Sequence, residues 1–161
     1  MSVTKVGLYS CFNFKKLNKM KKIIFACHFL FITTASFTQT EKEQVEKKLI
    51  EATIQLYIDG WLTGDTTKVG KAMHSTCKLK YFRDGKFTEI NRTDYLSRFK
   101  PSSRNPQADG RVKMVDITGN IATAKCELET PKALFTDYFN LIKADEFWYI
   151  VDKVSTRVDK N

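Results

Sequence analysis

The hydrophobic period of this chain changes once, near Cys77, and that change constrains its fold more than any other feature. Upstream, Val45, Leu49, Ile50, Ile54, Tyr57, Ile58 and Trp61 recur at intervals of three and four. That spacing predicts a helix over Glu41 to Leu62 with one broad apolar stripe, with Glu43, Glu46, Lys47 and Lys48 on its wet side. Gly64 is a natural stop. Asp65 is a natural N-cap for a shorter second helix, expected to turn Val69, Ala72 and Met73 inward and to end near His74.

Downstream the period is two. Leu79 to Phe82 and Phe87 to Ile90 read as short strands joined at Asp84-Gly85, a pair suited to the positive φ of tight hairpins. Asn91 or Thr93 caps a short helix through Phe99. Pro101 to Gly110 is polar and irregular, a candidate pocket rim. Arg111 to Thr118, Ile121 to Thr130, Leu134 to Lys143 and Phe147 to about Thr156 read as four longer strands, with turns at Gly119-Asn120 and Ala144-Asp145-Glu146. Ala122, Ala124, Cys126 and Leu128 alternate with Thr123, Lys125, Glu127 and Glu129, the pattern of a half-buried strand. Helices first and strands after mean α+β, the helices covering one face of a bent antiparallel sheet.

Ahead of this domain lies a stretch of another kind. Lys21 and Lys22 precede the apolar run Ile23 to Ile32, and small or polar residues follow. Charged start, short apolar middle and small-residue exit are the layout of a secretory signal peptide. A spanning helix needs roughly 20 apolar residues, so the run is read as a cleaved signal and not an anchor. Residues 1–38 are expected to be a leader, with Met20 as its true start and cleavage between Ser36 and Gln39. Residues 39–161 are expected to be a single exported domain, periplasmic or secreted. The formal charge of +9 then changes meaning. Six of the 27 Lys and Arg fall in residues 1–38, which hold no acid, leaving 21 against 18, or +3. These charges are interspersed, with no basic face carrying interleaved aromatics, and nucleic acid is excluded as a partner.

Few residue types are available for chemistry. His74 is the sole histidine after the leader, and no CxxC, HExxH, Gly-rich phosphate loop or GxSxG elbow is present; neither a metal nor a cofactor is expected. Cys77 and Cys126 are open to two readings, one disulfide or two buried thiols. Phe135, Asp137, Phe139 and Leu141 share a face by period two. A carboxylate buried among apolar groups suits proton-transfer chemistry; one paired with a lysine or arginine on the next strand is structural. His74, at the expected helix end, is either an acid/base group or a cap for that terminus. Tyr57 and Trp61, one turn apart, and Trp148 on the last strand are either aromatic walls for a flat ligand or core packing.

The segments YIDGWLTGD (Tyr57 to Asp65), DITGNIATAKCE (Asp116 to Glu127) and FTDYFNLIKADEFWYIVDK (Phe135 to Lys153), with His74 between the first two, carry a resemblance. In this order they resemble the nuclear transport factor 2-like superfamily, and within it the small exported proteins described as putative lumazine-binding. The likeness runs from about Glu43 to Arg157 and departs locally at Asp145-Glu146, where the family turn is usually Asp-Gly. It implies a cone-shaped fold with N-terminal helices packed on a curved antiparallel sheet. It does not fix an activity, because the superfamily holds dehydratases, isomerases, epoxide hydrolases, polyketide cyclases and non-catalytic binders.

Three functions follow. The first is an exported binder of a small, heteroaromatic molecule, its pocket between the first helix and the concave sheet lined by Tyr57, Trp61, His74, Asp137 and Trp148. The second is an acid/base enzyme of polyketide-cyclase or dehydratase/isomerase type using Asp137 or His74, although dehydratase-type relatives often use several histidines. The third is a non-catalytic homodimeric module. Relatives commonly pair through the outer sheet face, and Tyr138, Ile142, Tyr149 and Val151 supply apolar groups on the alternate faces.

Overall fold

The computed structural model describes residues 41–160; the leader, with its signal-like run, lies outside the described residues. Helix α1 covers residues 41–63. Its stripe buries Ile50, Ile54, Tyr57, Ile58 and Leu62. Val45 and Leu49 stay exposed, at 56% and 43%. Val45 precedes Ile54 by nine residues, two and a half turns at 3.6 residues per turn, and so points away from it. Glu46 turns toward the sheet instead of the solvent, taking hydrogen bonds from Lys143 Nζ and Trp148 Nε1, both at 2.8 Å.

Gly64 ends α1 at φ +67, and a Cβ there would lie 2.0 Å from the carbonyl oxygen of Lys100. The polar 97–108 loop can therefore lie directly on the helix end, where Ser102 N–H donates to the Thr63 carbonyl at 2.9 Å. Asp65 caps α2 (Thr66–Ala72), accepting from the Thr67 and Lys68 amides. Met73 is already extended, with φ −101 and ψ 130. The second helix thus stops before His74, and β1 (Met73–Arg83) begins there because Met73 pairs with Ile150. The predicted strand at Leu79 is the last part of a longer one.

The other elements are β2 (Lys86–Asn91), α3 (Arg92–Leu96), β3 (Asp109–Thr118), β4 (Ile121–Glu129), β5 (Ala133–Ala144) and β6 (Phe147–Asp159). Asn91, not Thr93, caps α3. The six strands form one sheet in the order β2-β1-β6-β5-β4-β3. Neighbours are antiparallel except β1 and β6, which run parallel. α1 crosses the inner face closely at β3: a Cβ on Gly110 would stand 2.4 Å from Ile58 Cγ2. The small residues of β4 make room for large neighbours, since Ala124 pairs with Phe139 and Ala122 with Leu141, all four buried.

Strand order also settles the cysteines. Cys77 on β1 and Cys126 on β4 are three strand spacings apart, about 14 Å at 4.8 Å per spacing. A disulfide needs Cα atoms within about 7 Å. Both are free, buried thiols, and burial first of all pushes Cys77 up to about 12.

Candidate functional site

The period-two face of β5 places Asp137 on the inner side of the sheet, 1% exposed. Its cross-strand partners are Cys126 on β4 and Ser155 on β6. The carboxylate accepts three hydrogen bonds. Oδ1 accepts from Lys153 Nζ at 2.8 Å and from Ser155 Oγ at 2.5 Å, and Oδ2 accepts from the Tyr57 hydroxyl at 3.1 Å. The Tyr57 and Tyr95 hydroxyl oxygens are 2.8 Å apart. A carboxylate paired with an ammonium accepts only, so the single Tyr57 proton goes to Asp137 and Tyr95 donates to Tyr57. The ammonium of Lys153 also lies 5.6 Å from the ring centre of Tyr57 and 5.5 Å from that of Tyr95, within cation–π range.

A bulge makes this arrangement. Trp148 and Ile150 face inward on β6, and strict alternation would put Asp152 inside and Lys153 outside. Instead Leu141 pairs with Ile150 and Asn140 with Asp152. Val151 is the extra residue, and the parity of β6 inverts after it. Lys153 and Ser155 thereby turn inward onto Asp137, and Asp152 turns outward, where it pairs with Lys80.

Burial and charge set the protonation states. Desolvation, reinforced by the Asp137 charge, holds the Tyr57 phenol well above its ordinary value of 10.0. Burial likewise raises Tyr95, against the opposing pull of Lys153. For Lys153, burial favours the neutral amine, but Asp137 and the Tyr95 phenol outweigh it and the pKa stands above 10.5. The centre is therefore an ion pair ringed by neutral phenols, and not a carboxylate isolated among apolar groups. Lys153, Ser155 and Tyr57 all donate to Asp137.

Of the five residues singled out in the sequence, three meet here. Tyr57 and Asp137 are hydrogen-bonded, and Trp61, one turn along α1, sets its ring edge-to-face against Phe135 at 5.0 Å. Phe135 is two residues from Asp137 on the same face, and Arg157 lies over it at 5.5 Å. Trp61 and Phe135 are half-buried and Arg157 is exposed, so they form the solvent side of the centre.

Trp148 is buried six residues of β5 register from Asp137, about 20 Å at 3.3 Å per residue, and its indole is spent on Glu46. His74 does not close a helix. It sits on β1 with Nδ1 2.8 Å from Thr76 Oγ1 and its ring 5.8 Å from that of Tyr149. Tyr149 pairs with Ile142 on the outer face, so His74 is not brought to Asp137. The lysine weighed as a partner for Asp137 on the next strand is Lys153; Ser155 and Tyr95 are the residues the sequence pattern missed. The polar, odd-numbered run Lys153, Ser155, Arg157 matching Asp137 and Phe135 across the strands is the signal that was available.

A cavity of about 400 Å³ lies elsewhere, lined by Asp116, Thr118, Ile121, Ala122, Thr123, Asn140, Leu141, Ile142 and Val151. Asp116, Thr123 and Asn140 are register partners on the outer face, so the sheet itself separates this hollow from Asp137.

Comparison with known proteins fits this architecture. The model of a family described as "Putative lumazine-binding" matches residues 45–155. The chain belongs to that family. Its fold is that of an NTF2-like protein of unknown function from Shewanella baltica, 26% identical with a TM-score of 0.65, over 71% of this chain and 95% of that one. A second, from Silicibacter pomeroyi, is 15% identical with a TM-score of 0.66, over 72% and 98%. A ketosteroid isomerase-like protein from Erwinia carotovora atroseptica is 13% identical with a TM-score of 0.56, over 70% and 96%. None of the curated proteins matches the chain.

Proposed function

We propose that this member of the family is an exported small-molecule binder whose ligand enters between α1 and the inner sheet face. It passes the Trp61–Phe135–Arg157 rim toward the Asp137–Lys153 centre. The observation that carries the reading is a complete polar set, an ion pair with two phenols and a serine, at the heart of an otherwise apolar interior and directly beneath an aromatic rim. Replacing a buried pair by apolar residues is often neutral or stabilising, so stability alone does not call for this one. The rim supplies flat apolar contact and a cation, which suits a planar, heteroatom-bearing molecule.

Titration with lumazine and other heteroaromatics tests it. The expected result is saturable quenching of tryptophan emission and a raised melting temperature, both removed by Trp61→Ala. No response to any member of the set overturns it. The acid/base alternative predicts instead that Asp137→Asn abolishes turnover of a carbonyl substrate while affinity survives. Export is part of the same reading, and N-terminal sequencing of the extracytoplasmic fraction tests it, with a mature N-terminus between Ser36 and Gln39 as the expected result. A second reading concerns self-association: Ile121, Tyr138, Ile142, Val154 and Val158 leave the outer face apolar and exposed, which favours a homodimer through that face. Sedimentation showing a monomer at all concentrations removes it.

A further inference from the structure

Tyr81 joins the Asp137 centre to a group of cations. It is the register partner of Ser155 across the parallel β1–β6 pair, and Ser155 is in turn the partner of Asp137. Tyr81 follows the buried Cys77 and Leu79 at intervals of two and packs against the same core, so it shares the inner face. Arg98, just past α3, donates to the Tyr81 hydroxyl at 3.4 Å, and Arg83 lies 5.9 Å from its ring. The bond from Arg98 is the chief reason that the Tyr81 phenol stands below its ordinary 10.0. Arg83 faces Lys86 directly across the hairpin. Like charges so placed weaken a hairpin, so stability does not account for them.

Arg157 belongs to the same mouth. It lies two residues beyond Ser155 on β6, and strand spacing puts its Cα about 8 Å from that of Tyr81. Its ion pair is with Asp159, at 2.6 Å, whose side chain is 71% exposed. Water screens such a pair. Arg83, Lys86 and Arg98 are in no ion pair among the described residues. Asp94, one turn before Arg98, accepts from Asn91 Nδ2 instead, and the hairpin turn adds one acid, Asp84. The Lys153 ammonium beneath is already neutralised by Asp137. Positive charge at this mouth therefore comes from the arginines, around a floor of Tyr81, Phe135 and Trp61. A cleft lined by one sign of charge concentrates ligands of the other.

We propose that the ligand of this site is an anion, a planar aromatic carboxylate whose ring lies against Trp61 and Phe135 and whose charge is held between Arg98 and Arg157. The inference rests on the binding role proposed above for the same rim. A guanidinium has five N–H donors in a planar fork that matches a carboxylate. Arg98 spends one on Tyr81, and Arg157 directs Nε and Nη2 to Asp159, so both keep donors for a ligand. Arg83 and Lys86 stand farther out and act through their field alone.

The test titrates the full chain calorimetrically with quinoline-2-carboxylate and quinoline-3-carboxylate, and with the carboxamide of each. Acid and amide have the same ring and nearly the same shape, so their difference isolates the charge. Wild type is expected to hold each acid at least about tenfold more tightly than its amide, with the difference shrinking as salt is added. Arg98→Gln and Arg157→Gln are each expected to lose most of that preference while affinity for the amides stays within about twofold. Amide binding thus reports that each variant is folded. Equal binding of acid and amide by wild type, or a preference that survives either substitution, overturns the anionic ligand and leaves the binding role standing. Binding of neither acid nor amide overturns both.

Discussion

Each face of the sheet carries one departure from the usual distribution of polar and apolar groups. Along β5, the inner positions hold Phe135, Asp137, Phe139 and Leu141, and the outer ones Tyr138, Asn140 and Ile142. Inside, a carboxylate and an ammonium are 1% and 3% exposed; outside, Tyr138 and Ile142 are 48% and 40% exposed. The two departures obey different rules. A charge can be buried only where every partner is already in place, so the inner face is complete within one chain. Apolar area in water is merely unfavourable in proportion to its size, and can wait for a partner.

The largest expected effect breaks the inner face. Lys153→Met leaves Asp137 buried without its cation and is expected to lower unfolding stability by about 3–5 kcal/mol. Adding Asp137→Leu to it should recover most of that loss, since no uncompensated charge remains; denaturant titration of the single and double variants reads both values. If the single variant costs under about 1 kcal/mol, the pair is solvated and the contrast between the faces fails.

Tyr57→Phe removes one donor to Asp137 and the acceptor of Tyr95, with an expected loss of about 1–3 kcal/mol. It also sharpens the pH dependence. Tyr57, Tyr95 and Lys153 all bind their protons more tightly folded than unfolded. Above pH 10 the unfolded chain gives up those protons first, so stability is full below that point and falls as pH rises. Tyr57→Phe should make the alkaline decline shallower, measured as melting temperature against pH.

On the outer face, Tyr138→Ser with Val154→Ser is expected to move the stability of the isolated chain by only about 0.5 kcal/mol each way per site. The same pair should abolish concentration-dependent association measured by sedimentation. A further small effect lies at the β5–β6 turn, where Asp145 and Glu146 both have positive φ, 49 and 66. Glu146→Gly is expected to stabilise by about 0.5–1 kcal/mol in thermal unfolding.

How far the sequence could be read follows from the range of the forces involved. Helix and strand periods, the Asp65 cap, the hairpin turns and the placing of Asp137 opposite Tyr138 are set by neighbours a few residues apart, and they were legible. The helical stripe was drawn too wide at Val45 and Leu49, because an interval of four at a helix start is ambiguous until its far end is fixed. The site was half legible. Tyr57, Trp61 and Asp137 lie on faces that local period defines. Tyr95 sits on a five-residue helix with no period to read, and His74 was assigned to a helix end because pairing of Met73 with Ile150 is a long-range event.

The sequence alone determined the order of elements and, wherever no bulge interrupts a strand, which side chains share a face, since both depend on backbone geometry that repeats every two or 3.6 residues. Which faces meet was decided only by tertiary structure. One unpaired residue, Val151, shifts β6 by a single position, and a shift of one exchanges the two faces of everything that follows. That exchange brings Lys153 and Ser155 to Asp137, and it is fixed by the packing of β6 between β5 and β1, not by anything within β6 itself.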